Sequence, residues 1–160
     1  MHKSTDPLEV RRTFGAYPTG IALTAGISGA APAGLLTNSF TSISLDPPLV
    51  AVSFDHGSTS WPRLRNITTL GISIFSSENL DAAHLLRRPT DVRFDGVDYH
   101  IAQETALLIP RAAAHLIVTP ERTIEAGDHT LVLFRVLEHE HTPEATPLVF
   151  HDSTIFPLPH

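Results

Sequence analysis

The stretch from Gly34 to Phe54, GLLTNSFTSISLDPPLVAVSF, decides the fold. Its second half reads simply: Leu49 to Phe54 is a short apolar run, the pattern of a buried strand. The first half is less ordinary. Thr37, Asn38, Ser39, Thr41, Ser42 and Ser44 place small hydroxyl and amide groups between two apolar segments, and the chain then turns at Asp46-Pro47-Pro48. Polar residues on the solvent face of a half-buried strand account for such a pattern. So does a planar heteroaromatic ligand with imide, carbonyl and ring-nitrogen edges. That ligand needs short donors and acceptors on a backbone it can approach closely, and Gly34, Asn38 and Ser39 offer them.

Working outward, the pattern remains mostly β. TGIALTAG (19–26) reads as a strand, followed by the turn-rich SGAAPAG (28–34). Upstream, Asp6 as cap, Pro7 at the first helical position and Glu9 predict a helix. Its apolar face is Leu8, Val10, Phe14 and Tyr17, and Pro18 and Gly20 stop it. Downstream, DHGSTSWPRLRN starts a short helix with Ser58 as cap and Pro62 in the first turn. LGISIF (70–75) is a further strand. A second helix runs from about Ser77 to Pro89, and DVRFDGVDYH is a structured loop. Strands around 113–119, 129–141 and PLVF complete a pattern that suggests a closed antiparallel sheet with helices packed outside.

The chain has 160 residues, 42% hydrophobic and 18% charged, which fits one globular domain over 1–160. Its formal charge of −6 argues against nucleic-acid or anionic-membrane partners. There is no cysteine, so disulfides and thiol catalysis are excluded. No apolar run approaches a membrane span and the first residues contain no signal-like core, so the expected location is cytoplasmic.

Two further clusters bear on chemistry. In HGSTSWPRLR, Ser58, Thr59 and Ser60 lead into a helix whose first N–H groups suit a phosphate; an N-cap alone accounts for one hydroxyl, not three. In AGDHTLVLF, Asp128 and His129 stand at the mouth of an apolar strand, where they either meet a ligand or merely occupy an exposed turn. His139 and His141 share one strand face, but a pair without further ligands predicts solvent exposure and no metal site. Trp61 is expected to pack.

With these pieces in order, the chain resembles the flavin reductase-like proteins with an FMN-binding split barrel, in particular the short-chain NAD(P)H:flavin reductases of two-component monooxygenases. The resemblance rests on FGAYPTGIALTAG, GLLTNSFTSISLDPPLVAVSF, STSWPRL, LGISIF, RFDGVDYH, GDHTLVLFRV and PLVFH, from about Phe14 to His151. It implies a mainly β (α+β) split barrel with flanking helices, binding FMN (or FAD), with NADH or NADPH as co-substrate. It implies hydride transfer to the flavin, a homodimer, and a separate flavin-dependent monooxygenase that takes the reduced product. An oxidase of the pyridoxamine-phosphate type, or a flavin-binding protein without NAD(P)H turnover, shares the same fold.

By the same resemblance, Pro32, Ala33, Gly34, Leu35, Leu36, Asn38 and Ser39 line the flavin ring, while Ser53, Phe54 and Asp55 border its ribityl chain. Thr59 and Ser60 hold the phosphate, and Leu85 and Leu86 approach the cofactor from a helix end. The family often has an Arg-Phe pair at that end; here Arg87 and Arg88 follow two positions later. His129 is the nicotinamide-side residue, with Phe150, His151, Asp152 and Ser153 completing the dinucleotide site. Asp152 stands where the family commonly has a cation, and a carboxylate repels a pyrophosphate.

Overall fold

The computed structural model describes residues 3 and 5–159. Helix α1 (Pro7–Gly15) leads into strands β1 (Thr19–Gly20), β2 (Ala22–Ser28), β3 (Ala31–Thr37), β4 (Thr41–Leu45) and β5 (Pro48–Asp55). The short helix α2 (Trp61–Leu64), strand β6 (Leu70–Ile74), a 3-10 turn (Ser77–Asn79) and helix α3 (Leu80–Leu85) follow. Strands β7 (His100–Ala102), β8 (Ala106–Leu108), β9 (Ala114–Ala126), β10 (His129–His141), β11 (Leu148–His151) and β12 (Thr154–Pro157) complete the chain.

Local chemistry sets these boundaries. The Asp6 carboxylate accepts the Leu8 N–H at 3.0 Å and Pro7 opens α1, as the capping pattern predicts. The helix stops at Gly15, short of Pro18, and none of its residues is buried. The segment expected to be turn-rich, 28–34, is a turn only at its start, where Gly29 takes φ +65°; from Ala31 onward it is strand β3. Pro32 is tolerated because β3 has β2 on one side only, so its missing N–H interrupts no second ladder. The second helix is also shorter than predicted. α3 ends at Leu85, whose carbonyl accepts the Arg88 Nε–H at 2.9 Å as the chain leaves the helix.

The principal sheet is antiparallel in the order β4-β5-β10-β9-β6-β2-β8-β7, with β3 branching off β2; β1, β11 and β12 form a small second sheet. The closed sheet expected from the pattern is therefore split. β3 pairs with β2, β4 pairs with β5, and the three residues between them carry the chain from one to the other. A side chain spans this seam. Ser39 lies two residues beyond the Thr41–Ala51 pair, opposite Ser53. Its Oγ accepts the Ser53 N–H at 2.9 Å and donates to the Ser53 carbonyl at 3.2 Å, standing in for a backbone rung. Thr37 Oγ1 braces the same hydroxyl at 2.7 Å.

Two cores lie on either side of β2. One collects Ala22, Val50, Val52, Phe54, Leu70, Ile72, Val132 and Phe134 with Trp61 and Leu64 of α2. Trp61 is a packing residue, stacked on Phe54 with ring centroids 4.3 Å apart, so α2 plugs the interior rather than lying outside it. The other core joins Ile21, Leu23 and Ala25 to Phe75, Ala83, Leu86 and Leu107 beneath α3. Thr24, on β2 and fully buried, has an Oγ1 without a partner among the described residues. Exchanging this hydroxyl for a methyl in Thr24→Val is expected to raise stability by about 1 kcal/mol, or roughly 3 °C in Tm, measured by thermal melting.

Candidate active site

A cavity of about 410 Å³ opens where β3, β5, β10 and the chain after α3 converge. Its walls are apolar through Ile21, Leu35, Leu36, Leu86, Phe150 and Ile155. Thr37, Asn38, Ser53, Asp55, Arg87, Arg93 and His129 add polar groups. The seam forms part of this wall, so the hydroxyl-rich stretch that set the fold also edges the cavity.

The predicted site residues divide around it. Leu35, Leu36, Asn38, Ser53, Asp55, Leu86, His129 and Phe150 line the cavity. Ser39, Asp152 and Ser153 line a second, adjoining space with Asn38 and Phe150. Phe54 is fully buried, Ala33 and Gly34 are buried, and Pro32 is half-buried. The Pro32 carbonyl accepts a bond from Arg63 at 3.1 Å. Leu85 faces a different hollow beside Asp98 and Arg111, and His151 is exposed. Thr59 is exposed with its hydroxyl on Thr90, and Ser60 is buried.

His129 is placed by turn geometry. β9 and β10 meet at a two-residue loop, Gly127-Asp128, in which Gly127 takes φ +64° and Asp128 does not take a positive φ, the pattern of a II′ hairpin. Glycine is thus required at the first position, Asp128 sits at the tip, and His129 begins the strand. The imidazole Nδ1–H donates to Asp128 Oδ1 at 2.7 Å, leaving Nε2 for the cavity side. This hydrogen bond and the charge of His129 hold the Asp128 carboxyl below its ordinary value, with a smaller contribution from His56. Being lowered, Asp128 stays ionised throughout the neutral range. The stability it lends is present above the ordinary carboxylate value and is lost only as pH falls through the lowered one. The Asp55, Asp128 and His129 ligand atoms lie within 4.8 Å of one another, the one such group among the described residues; His139 and His141 belong to none. All three members are already engaged, Asp55 by the Gly57 N–H and Asp128 and His129 by each other.

Arg93 is the functional group that sequence reasoning missed. Its guanidinium enters from the loop after α3 and donates through Nη1 to the Gly34 carbonyl at 2.9 Å and to Ser60 Oγ at 2.6 Å. Nε donates to the Arg88 carbonyl at 3.1 Å. Burial lowers its proton affinity from the ordinary arginine value, yet it remains a cation. The next residue explains Gly34: a Cβ there would lie 2.8 Å from the Phe94 ring and 3.0 Å from Ala25 Cβ. What approaches Gly34 closely is therefore Phe94. The Arg-Phe pair sought at the helix end comes instead from the following loop. Arg87, two residues past the end of α3, also lines the cavity.

The donor set suits a flat ligand with polar edges and an anionic tail: apolar walls, short amide and hydroxyl groups at one rim, and a half-buried cation, Arg93. Comparison with known proteins agrees. Residues 14–159 match the flavin reductase like domain, and the chain belongs to that family. A probable flavin reductase of Rhizobium meliloti (strain 1021) is 33% identical over 86% of this chain, which spans 44% of that relative's length. The solved structure of Streptomyces globisporus C-1027 NADH:FAD oxidoreductase SgcE6 in complex with NAD and FAD fragments superposes with a TM-score of 0.91 at 31% identity, covering 99% of this chain and 96% of that one. BorF, the flavin reductase component of a bacterial two-component tryptophan halogenase, superposes at 0.86 with 28% identity, over 97% of this chain and 99% of its own.

Proposed function

We propose that this protein is an NAD(P)H-dependent flavin reductase that reduces FMN or FAD and passes the reduced flavin to a separate monooxygenase. The observation that carries this reading is the convergence of His129, Asn38, Ser53 and Arg93 on one apolar-walled cavity in a chain of the flavin reductase family. The component names of its relatives support the partner enzyme.

When bound, the flavin supplies the hydride-accepting chemistry, and the protein supplies placement. Leu35 and Leu36 present backbone and apolar side chains to a ring, with Asn38 at its polar edge. Ser53 and Asp55 follow along the next strand, and Arg93 provides the charge for a phosphate, supported from beneath by Ser60. His129 serves the nicotinamide side. With Nδ1–H committed to Asp128, Nε2 is the ring nitrogen left to meet the carboxamide of a nicotinamide. No side chain has to act as a nucleophile. His129→Ala is expected to raise the KM for NADH about tenfold, the equivalent of one hydrogen bond, while leaving the Kd for FMN within a factor of about two; equal losses in both would count against this role.

Exposed Ile43 and Leu45 on edge strand β4 and Leu137 on β10 support assembly as a homodimer. No helix among the described residues is long and apolar enough to cross a membrane. Steady-state oxidation of NADH and NADPH with FMN, FAD and riboflavin tests the assignment. Flavin-dependent turnover is expected; its absence with every pair removes the reductase reading.

A further inference from the structure

A second cavity of about 730 Å³ continues from the first and shares Asn38, Arg87 and Phe150 with it. Its outer wall is helix α1 and the residues just after it, which contribute Arg11, Arg12 and Phe14 from the helix and Tyr17 beyond its end. Three arginines thus line one trough, Arg11, Arg12 and Arg87, and among the described residues none of them is in an ion pair. The two aromatic residues are uncovered as well, Phe14 73% and Tyr17 76% exposed. Unpaired cations and open ring faces beside the candidate active site leave polar and apolar binding capacity unused.

The same trough contains Asp152, the residue whose charge opposes a pyrophosphate. Its place is explained by the turn. Asp152 and Ser153 join β11 to β12 with φ +47° and +64°, the two positive values of a I′ hairpin, which aspartate tolerates better than most residues. The carboxylate answers a backbone requirement, and the cations arrive from elsewhere in the chain.

We infer that the α1 trough binds the adenosine diphosphate portion of a dinucleotide, with Arg11, Arg12 and Arg87 on the two phosphates and Phe14 or Tyr17 against the adenine. Guanidinium forks match phosphate oxygens in pairs, and an aromatic face stacks on any purine. This rests on the reductase reading, which brings two such dinucleotides to the cavity, FAD and NAD(P)H. The site replaces the basic residue that the C-terminal turn lacks.

The test is titration of the flavin-free protein with ADP-ribose, beside an Arg11→Ala/Arg12→Ala double variant. Alanine preserves helix propensity, and neither arginine is buried, so the variant retains the fold. ADP-ribose is expected to bind the parent protein and to bind the variant about tenfold more weakly, with the FMN Kd within about twofold and recovery in Arg11→Lys/Arg12→Lys. Two arms identify the source. A drop of about tenfold in FAD affinity relative to FMN assigns the trough to the flavin's adenylate. A similar rise in the KM for NADH at unchanged kcat assigns it to the hydride donor. Absence of ADP-ribose binding to the parent protein, or equal binding by the variant, overturns the inference. Failure of NADH and NADPH oxidation with every flavin would remove the reductase reading alone, since the ADP-ribose titration does not depend on turnover.

Discussion

Replacing Arg93 with alanine is expected to weaken FMN binding about 100-fold, the upper range for a charge-assisted hydrogen bond, and to lower stability at the same time. The guanidinium ties three segments together, donating to the Gly34 carbonyl on β3, Ser60 Oγ at the start of α2 and the Arg88 carbonyl after α3. Removing it leaves those acceptors without a donor in a partly buried junction, for a loss of about 3 kcal/mol. That corresponds to a Tm lower by roughly 6–12 °C in a chain of this size. The phosphate contribution can be separated from the structural one. Riboflavin lacks the phosphate, so its affinity should fall far less than that of FMN. Lysine restores a charge without the fork that reaches three acceptors, and Arg93→Lys should recover part of the FMN affinity with little of the stability. Parallel losses for riboflavin and FMN would show that Arg93 braces the wall without meeting a phosphate.

The largest purely structural effect is expected at Gly71. A Cβ on this β6 residue would stand 2.2 Å from the Leu107 carbonyl oxygen and 2.8 Å from its carbon, closer than any real Cβ contact. Leu107 cannot withdraw, since its side chain is fully buried in the second core and β8 is anchored to β2 through Gly26 and Ala106. Gly71→Ala therefore forces two strands apart, for about 3 kcal/mol, read as a lower urea midpoint at constant m-value. Gly15→Ala provides the control. Nothing lies within 4 Å of the added methyl there, and the midpoint should hardly move.

Much of the fold was legible because local preference and burial agree. The stretch His129 to His141 is read as a strand and forms β10 over the same residues, with Thr130, Val132 and Phe134 facing inward. β3 was not legible. Ser28, Gly29 and Pro32 carry turn chemistry, and only the one-sided pairing of β3 makes room for a proline. At the site, Asp128 and His129 could be placed from a tripeptide, because the hairpin is local. Arg93 could not: it meets Gly34 across 59 residues of chain, and its Arg-Phe pair, at the start of RFDGVDYH, stands well beyond the helix end where the resemblance places that pair. Ser39 shows a different limit. Its composition suggested ligand recognition, while its hydroxyl is occupied by the Ser53 backbone. The sequence offers Gly34 as a place where a ligand can approach the backbone; in the structure it is the Phe94 ring that lies against it.

The hydroxyl joint between Ser39 and Ser53 has a bearing on how this architecture diversifies. On one flank of it, partners are counted against β2; on the other, against β5. Hydroxyls, that of Ser39 with Thr37 behind it, stand in for a backbone rung at this joint. A change in the length of the three-residue link is therefore expected to reshape the mouth of the pocket before it disturbs the β2–β3 or β4–β5 alignment.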